Sequence, residues 1–347
     1  MRLAIGIGSV GSGCPDIHDD VRYVQAGEAL GIDYAWSAEA WGRDAVSPIA
    51  YLAAVTNRIK LGTGIMQVTA RVPVMTAMTA LTLANLSNDR FVLGLGVSGP
   101  QVVEGLHGVP FQPALTRLKE TVAIVRQAFN GEKIHHQGKV YELPRAGGEG
   151  KSLRLDHVAR PDLPIFFATL APRSLRYTGE VADGWLGTSF SPDFPGAHFE
   201  HLRAGAASAG RSMEHIETQT AVTVAIGEDV DALVDSLRPG VAFQLGAMGS
   251  STTNFYNEAF QRAGYQDDAL AVQGLWRAGR RDDAAKRVPQ DLVLKYGLIG
   301  DDAMIKQRIA LYRDAGITCL NLRIRGADVD ERIRRLERAV EIISAVQ

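Results

Sequence analysis

Two glycine-marked stretches hold the residues whose chemistry is easiest to place. Residues 61–65 read Leu61-Gly62-Thr63-Gly64-Ile65, and residues 91–100 read Phe91-Val92-Leu93-Gly94-Leu95-Gly96-Val97-Ser98-Gly99-Pro100. Each is an apolar run ending in small residues, the pattern of a strand buried on both faces of a parallel sheet. Glycine at a strand's end lets the backbone come close to a flat ligand. Two such ends, one helix apart, point to a cofactor site at the carboxyl edge of a parallel sheet; the plain alternative is an ordinary buried strand end. A third stretch, Thr169-Leu170-Ala171-Pro172-Arg173-Ser174, has anion-binding chemistry. Pro172 opens a helix, whose N-terminus presents free N–H groups to an anion, and Arg173 and Ser174 can add further contacts. The plain alternative there is a helix cap.

The elements that must carry these residues alternate along the chain. Strands are predicted over 3–8, 34–37, 59–65, 91–97, 164–170, 184–188, 220–226 and 319–324. Helices are predicted over 18–30, 48–55 (with Ser47 as cap), 73–86, 116–129, 173–182, 199–209, 231–237, 301–315 and 330–346. Residues 130–163 read as loop, and 239–290 as a helical insertion late in the chain. Eight strands alternating with helices predict an α/β fold, a (β/α)8 TIM barrel, over a single domain, 1–347. A doubly wound sheet is the alternative. It lacks its dinucleotide fingerprint, because Gly6, Gly8, Gly11 and Gly13 are spaced differently from Gly-x-Gly-x-x-Gly.

Composition narrows the function classes. The 347 residues are 46% hydrophobic and 22% charged, with a net charge of −2 and no basic block, which argues against nucleic acid as a partner. No apolar stretch is long enough to cross a membrane, and the first eight residues read as a strand rather than a signal-peptide core. Cys14 and Cys319 form no metal-spacing motif and no disulfide framework, and His135-His136 lacks a third ligand nearby. A cytoplasmic protein without a metal site is expected.

Several motifs resemble the bacterial luciferase-like superfamily. They are Leu61–Ile65, Arg71-Val72-Pro73, the run from Leu83 to Phe91 with Leu93-Gly94-Leu95-Gly96, Ala182-Asp183-Gly184-Trp185, and Tyr312-Arg313-Asp314-Ala315-Gly316. Gly96-Val97-Ser98-Gly99-Pro100-Gln101 and Asn254-Phe255-Tyr256-Asn257 are most similar to the branch that uses the deazaflavin coenzyme F-420. The resemblance implies a (β/α)8 barrel with a late insertion, a homodimer, and a small organic substrate. It implies a non-proline cis peptide at Gly64-Ile65 beneath the deazaflavin ring, with a cofactor site made by Thr63, Gly64, Ile65, Val97, Ser98, Ala168, Thr169, Leu170, Ala171, Pro172, Arg173 and Ser174. His107 is expected to fix its loop.

The sequence departs from the family where many F-420 enzymes carry Asp-His after strand two. It has Ser37-Ala38-Glu39-Ala40-Trp41 there. A carboxyl buried at that point resists ionisation, so Glu39 is the candidate proton-moving group and Trp41 a pocket wall; a solvated Glu and a packing Trp are the plain alternative. Arg323 and Arg325 alternate on the last strand, where one of them could face a substrate anion or form a salt bridge. Phe255, Tyr256 and Tyr265 of the insertion suggest a cover for an apolar substrate. The function expected is an F-420-dependent oxidoreductase; an FMN-dependent monooxygenase and a non-catalytic carrier of either cofactor are the alternatives.

Overall fold

The computed structural model describes residues 1–8, 16–249 and 253–346. Cys14, Gly11, Gly13 and the middle of the polar run at 249–254 lie outside these residues. Eight parallel strands close into a barrel: β1 (Arg2–Ile7), β2 (Tyr34–Ser37), β3 (Lys60–Thr63), β4 (Phe91–Gly96), β5 (Ile165–Ala168), β6 (Gly184–Gly187), β7 (Glu217–Ile226) and β8 (Cys319–Arg323). Neighbours pair in chain order, and β8 returns to β1 with Arg2 opposite Cys319. The open-sheet alternative is thereby excluded. The outer helices are α1 (Ile17–Ala29), α2 (Val46–Val55), α3 (Pro73–Leu86), α4 (Ala114–Phe129), α5 (Pro172–Val181), α6 (Gly196–Ser208), α7 (Val230–Ala247), α8 (Asp302–Asp314) and α9 (Val329–Ser344).

Strand alternation sorts the core into two layers. Leu3, Ile5, Leu61, Leu93, Phe167 and Leu320 face the helices. Ala4, Tyr34, Trp36, Val92, Phe166 and Cys319 fill the barrel itself. Trp36 is the plug: its ring stacks on Tyr34 and its Nε1 donates to Gln219 Oε1 at 3.0 Å. This plug explains two of the motif glycines. A Cβ on Gly62 would lie 2.2 Å from the Trp36 ring, and one on Gly94 would lie 1.8 Å from the Thr63 carbonyl oxygen. These glycines make room for the barrel's own contents rather than for a ligand. Gly94→Ala is expected to lose about 1–3 kcal/mol, since backbone must move to admit the methyl group. A thermal unfolding midpoint equal to the parent's would refute the close contact.

Several boundaries differ from expectation for local reasons. Ser47 does not cap α2. Asp44 does that work, accepting from the N–H groups of Val46 and Ser47 at 2.9 and 2.8 Å. The helix predicted to end at 237 runs through Pro239 to Ala247, because Val234, Ala242 and Leu245 on either side of the proline bury into one satellite core. Residues 130–163 include a small hairpin, His136–Gln137 with Glu142–Leu143, pinned by three backbone N–H groups donating to Glu120. An unpredicted strand, Gly297–Gly300, pairs with the far end of β7. The insertion is helical as expected, with helices over Phe255–Phe260, Gln266–Arg277, Arg281–Arg287 and Gln290–Lys295 after α7. None of the helices is long and apolar enough to cross a membrane among the described residues.

Candidate functional site

A cavity of about 460 Å³ opens at the carboxyl ends of β2 to β6, between the barrel and the insertion. Its size and mostly apolar walls suit a small-molecule cofactor. Of the residues expected there, Glu39, Trp41, Gly64, Ile65, Val97, Ser98, Ala168, Thr169, Leu170, Ala171, Arg173 and Ser174 line it. The barrel thus gathers four separate loops into one site.

The floor is the bulge after β3. The Gly64-Ile65 peptide is cis, as the resemblance implied. Gly96, opposite, keeps the floor flat, since a Cβ there would meet the Ile65 side chain at 3.0 Å. A Cβ on Gly64 would instead meet Trp36 at 2.9 Å, so a larger residue at 64 would press on the plug from above. Thr63 does not line the cavity. It is buried, and its Oγ1 donates to Gly94 O at 2.8 Å and accepts from Gly94 N at 3.0 Å, tying β3 to β4 beneath the floor. Ser98 has a positive φ of 58°, unusual for a residue with a side chain, at the cavity wall.

The wall after β5 is the start of α5. Pro172 takes the first helical turn and does not itself face the cavity. Ala171 at the cap offers no side-chain acceptor, so the first N–H groups of the helix have no cap partner. Arg173 is exposed, with no hydrogen bond or ion pair among the described residues. The Ser174 hydroxyl donates to Ala171 O at 2.9 Å, and Leu170 O accepts from Arg262 of the insertion at 2.7 Å. The turn is therefore rigid and carries free donors, which fits a phosphate.

Glu39 needs correction. One carboxylate oxygen accepts from Arg71 Nη1 at 2.9 Å and from Gln67 N at 3.1 Å, and the other from Ala45 N at 3.1 Å. Each of these partners donates, so the group is committed as an acceptor that ties the 38–45 loop to the bulge after β3. Glu39→Gln is therefore expected to lower stability by about 1–2 kcal/mol and to leave the pH profile of turnover unchanged. A flattened profile would restore the acid role. Trp41, about half exposed, forms the outer wall as expected.

Other expectations separate cleanly. Phe255 and Tyr256 reach the cavity, but Tyr265 does not; its hydroxyl donates to Asp291 Oδ2 at 2.7 Å inside the satellite core. The His107 side chain is exposed and makes no hydrogen bond among the described residues; only its backbone N–H, donating to Val102 O at 3.0 Å, ties the loop. The sequence reasoning missed Phe111, Leu115 and Leu118 as walls. The available signal was topological. A helix that follows a barrel strand starts at the carboxyl face, so its first turn borders the mouth.

A closed (β/α)8 barrel with an apolar cavity over this bulge and the start of α5 defines a class of cofactor-binding barrels, and the comparisons name it. The chain belongs to the luciferase-like monooxygenase family, whose model matches residues 3–319. It is 38% identical over 328 residues to a Mycobacterium tuberculosis protein provisionally named a coenzyme F-420-dependent oxidoreductase, covering 92% of this chain and 94% of that one. Its fold is shared with the coenzyme F-420-dependent tetrahydromethanopterin reductase of Methanopyrus kandleri (TM-score 0.80, 21% identity, 100% and 99% of the two chains). It is also shared with the oxygenating constituent of 3,6-diketocamphane monooxygenase of Pseudomonas putida, solved with FMN (TM-score 0.68, 18% identity, 99% and 96% of the two chains).

Proposed function

We propose that this protein is an F-420-dependent oxidoreductase that transfers a hydride between the deazaflavin and an organic substrate. The observation that carries the reading is the α5 turn: uncapped N–H groups and an unpaired Arg173 at the wall of an apolar cavity floored by Gly64, Ile65 and Gly96. The fold alone is common to deazaflavin and FMN enzymes, so the preference for F-420 rests on the 38% identical relative. When bound, the coenzyme supplies the hydride chemistry. Gly64 and Ile65 hold the ring from below, and Ala171–Ser174 hold its phosphate. Phe255 and Tyr256 of the insertion close the far side and keep water from the reacting face. Glu39 is held by Arg71 and two backbone N–H groups, so in this reading the proton comes from substrate or water.

A titration of the purified protein with F-420 (deazaflavin fluorescence) and with FMN (absorbance) tests the choice of cofactor. Saturable F-420 binding with weak or absent FMN binding is expected; tight FMN binding alone would replace this reading with the monooxygenase one. Arg173→Ala should weaken F-420 binding about tenfold or more, and the difference should shrink as salt is added. Turnover of a substrate in an F-420-linked screen separates an enzyme from a carrier.

A homodimer and a cytoplasmic location belong to the same reading. Exposed Val72, Met75, Met78 and Leu86 along α3 support the first, and size-exclusion chromatography with light scattering tests it. Cys319, a free thiol buried in the barrel, is compatible with the second.

A further inference from the structure

A smaller cavity of about 140 Å³ adjoins the first at Thr188, which lines both. Strand alternation places two arginines in it. Cys319 packs inside the barrel, so Asn321, Arg323 and, past the strand's end, Arg325 lie on the same side, while Leu320, Leu322 and Ile324 pack under the helices. Thr223, the register partner of Arg323 on β7, lines the same cavity, as does Tyr296 from the end of the insertion.

This hollow has donors and no counter-charge. Neither guanidinium has a hydrogen bond or ion pair among the described residues, and no aspartate or glutamate lines the cavity. The undescribed segments 9–15 and 250–252 contain no acidic residue either. Arg323 and Arg325 are both exposed to the open side of the hollow; the neighbouring protein and the like charge of Arg325 still pull the Arg323 pKa below the usual arginine value, against the opposing influence of Tyr256. Two like-charged guanidiniums side by side with no acid lining the hollow repel one another, and an anion entering between them relieves that repulsion.

We propose that Arg323 and Arg325 form a subsite for an anionic group of the substrate, a carboxylate or a phosphate. A guanidinium fork bonds either group in two-point fashion. The assignment to substrate rests on the functional reading above, in which the coenzyme phosphate sits at the α5 turn of the neighbouring cavity. The acidic tail of the coenzyme is the other possible source of the anion, and the test separates the two.

The parent protein, Arg323→Gln, Arg325→Gln and the double variant are each saturated with F-420 and then titrated with inorganic phosphate by calorimetry. Phosphate is expected to bind the loaded parent and to bind each single variant about tenfold more weakly. Affinity for F-420 should be unchanged, and the melting temperature of Arg323→Gln should not fall, since the residue makes no bond to lose. No phosphate binding by the loaded parent, or equal binding by the double variant, would overturn the subsite. A parallel loss of F-420 affinity would assign the arginines to the coenzyme tail and overturn the substrate assignment. A lower melting temperature with unaltered phosphate binding would make them structural. If the protein binds no F-420, the functional reading fails separately. The titration is then run without coenzyme on the Arg173→Ala background, where loss of phosphate binding on Arg323→Gln supports the subsite and its retention overturns it.

Discussion

Replacing Asp20 with alanine is expected to destabilise the protein by about 3–5 kcal/mol. Asp20 on α1 is fully buried, and its carboxylate is shared by Arg332 of α9, at 3.1 Å, and Arg43. Arg332 is itself 4% exposed and donates to Gly6 O at 2.9 Å and Ile324 O at 3.3 Å, while its guanidinium lies 3.8 Å from the centroid of the Tyr23 ring. Removing the carboxylate would take the common anion from two guanidiniums, of which Arg332 is almost fully buried and Arg43 partly so. The loss should extend to the site. Arg332 sits where β1 and β8 leave the barrel, next to the Arg323–Arg325 segment, and Arg43 belongs to the loop that carries Glu39 and Trp41. Urea unfolding followed by circular dichroism measures the effect. A change below about 1 kcal/mol would show that the triad is dispensable.

Acidification should destabilise the protein through His198. This residue is 1% exposed, among Trp185, Phe190 and Phe199, and neither ring nitrogen has a partner. Burial, with smaller contributions from the charges of Arg262 and His201, lowers its pKa to about 3. In the unfolded chain the value returns to about 6.5. Below that pH the unfolded chain takes a proton that the native protein refuses. Stability is thus full above pH of about 6.5 and declines by about 1.4 kcal/mol per unit down to pH of about 3. At pH 5 the contribution of this one residue is a loss of about 2 kcal/mol. His198→Phe keeps the ring among its aromatic neighbours and removes the titration. The difference in unfolding free energy between pH 7.5 and pH 5 should shrink by about 2 kcal/mol in that variant. An equal difference in the two proteins would mean that His198 is protonated in the native state.

The order of elements was legible in the chain because it depends on local patterning. Apolar runs such as Leu61–Ile65 and Phe91–Gly96 have the pattern of strands covered on both faces, and Pro172 after a strand suits the first turn of a helix. Those patterns, with the family motifs, were enough to single out Gly64-Ile65 and the turn at Ala171–Ser174, both of which the structure brings to one cavity. They were not enough to say what each glycine is for. Gly62 and Gly94 belong to the runs read as leading to a cofactor site, yet they face Trp36 and Thr63, because the direction of a side chain follows from barrel closure rather than from its neighbours in sequence.

The same limit governs the charged residues. In sequence, Glu39, Arg323 and Arg325 were three ionisable residues near strand ends, with alternatives open for each. The tertiary structure resolved them in opposite directions. Glu39 meets Arg71 and two backbone N–H groups and is spent on holding a loop, whereas Arg323 and Arg325 meet no acid and face open space. Ion pairs form between residues far apart in the chain, as Asp20 and Arg332 are across 312 positions, so the presence or absence of a partner is a property of the closed barrel. What the sequence by itself determined was which segments form strands and helices, and which ends could receive a cofactor, since hydrophobic period and backbone freedom act over a few residues. Which charges are neutralised, which glycines touch the barrel's plug and how the insertion roofs the cavity were decided by the tertiary structure alone. Each depends on a register between strands that only chain closure sets.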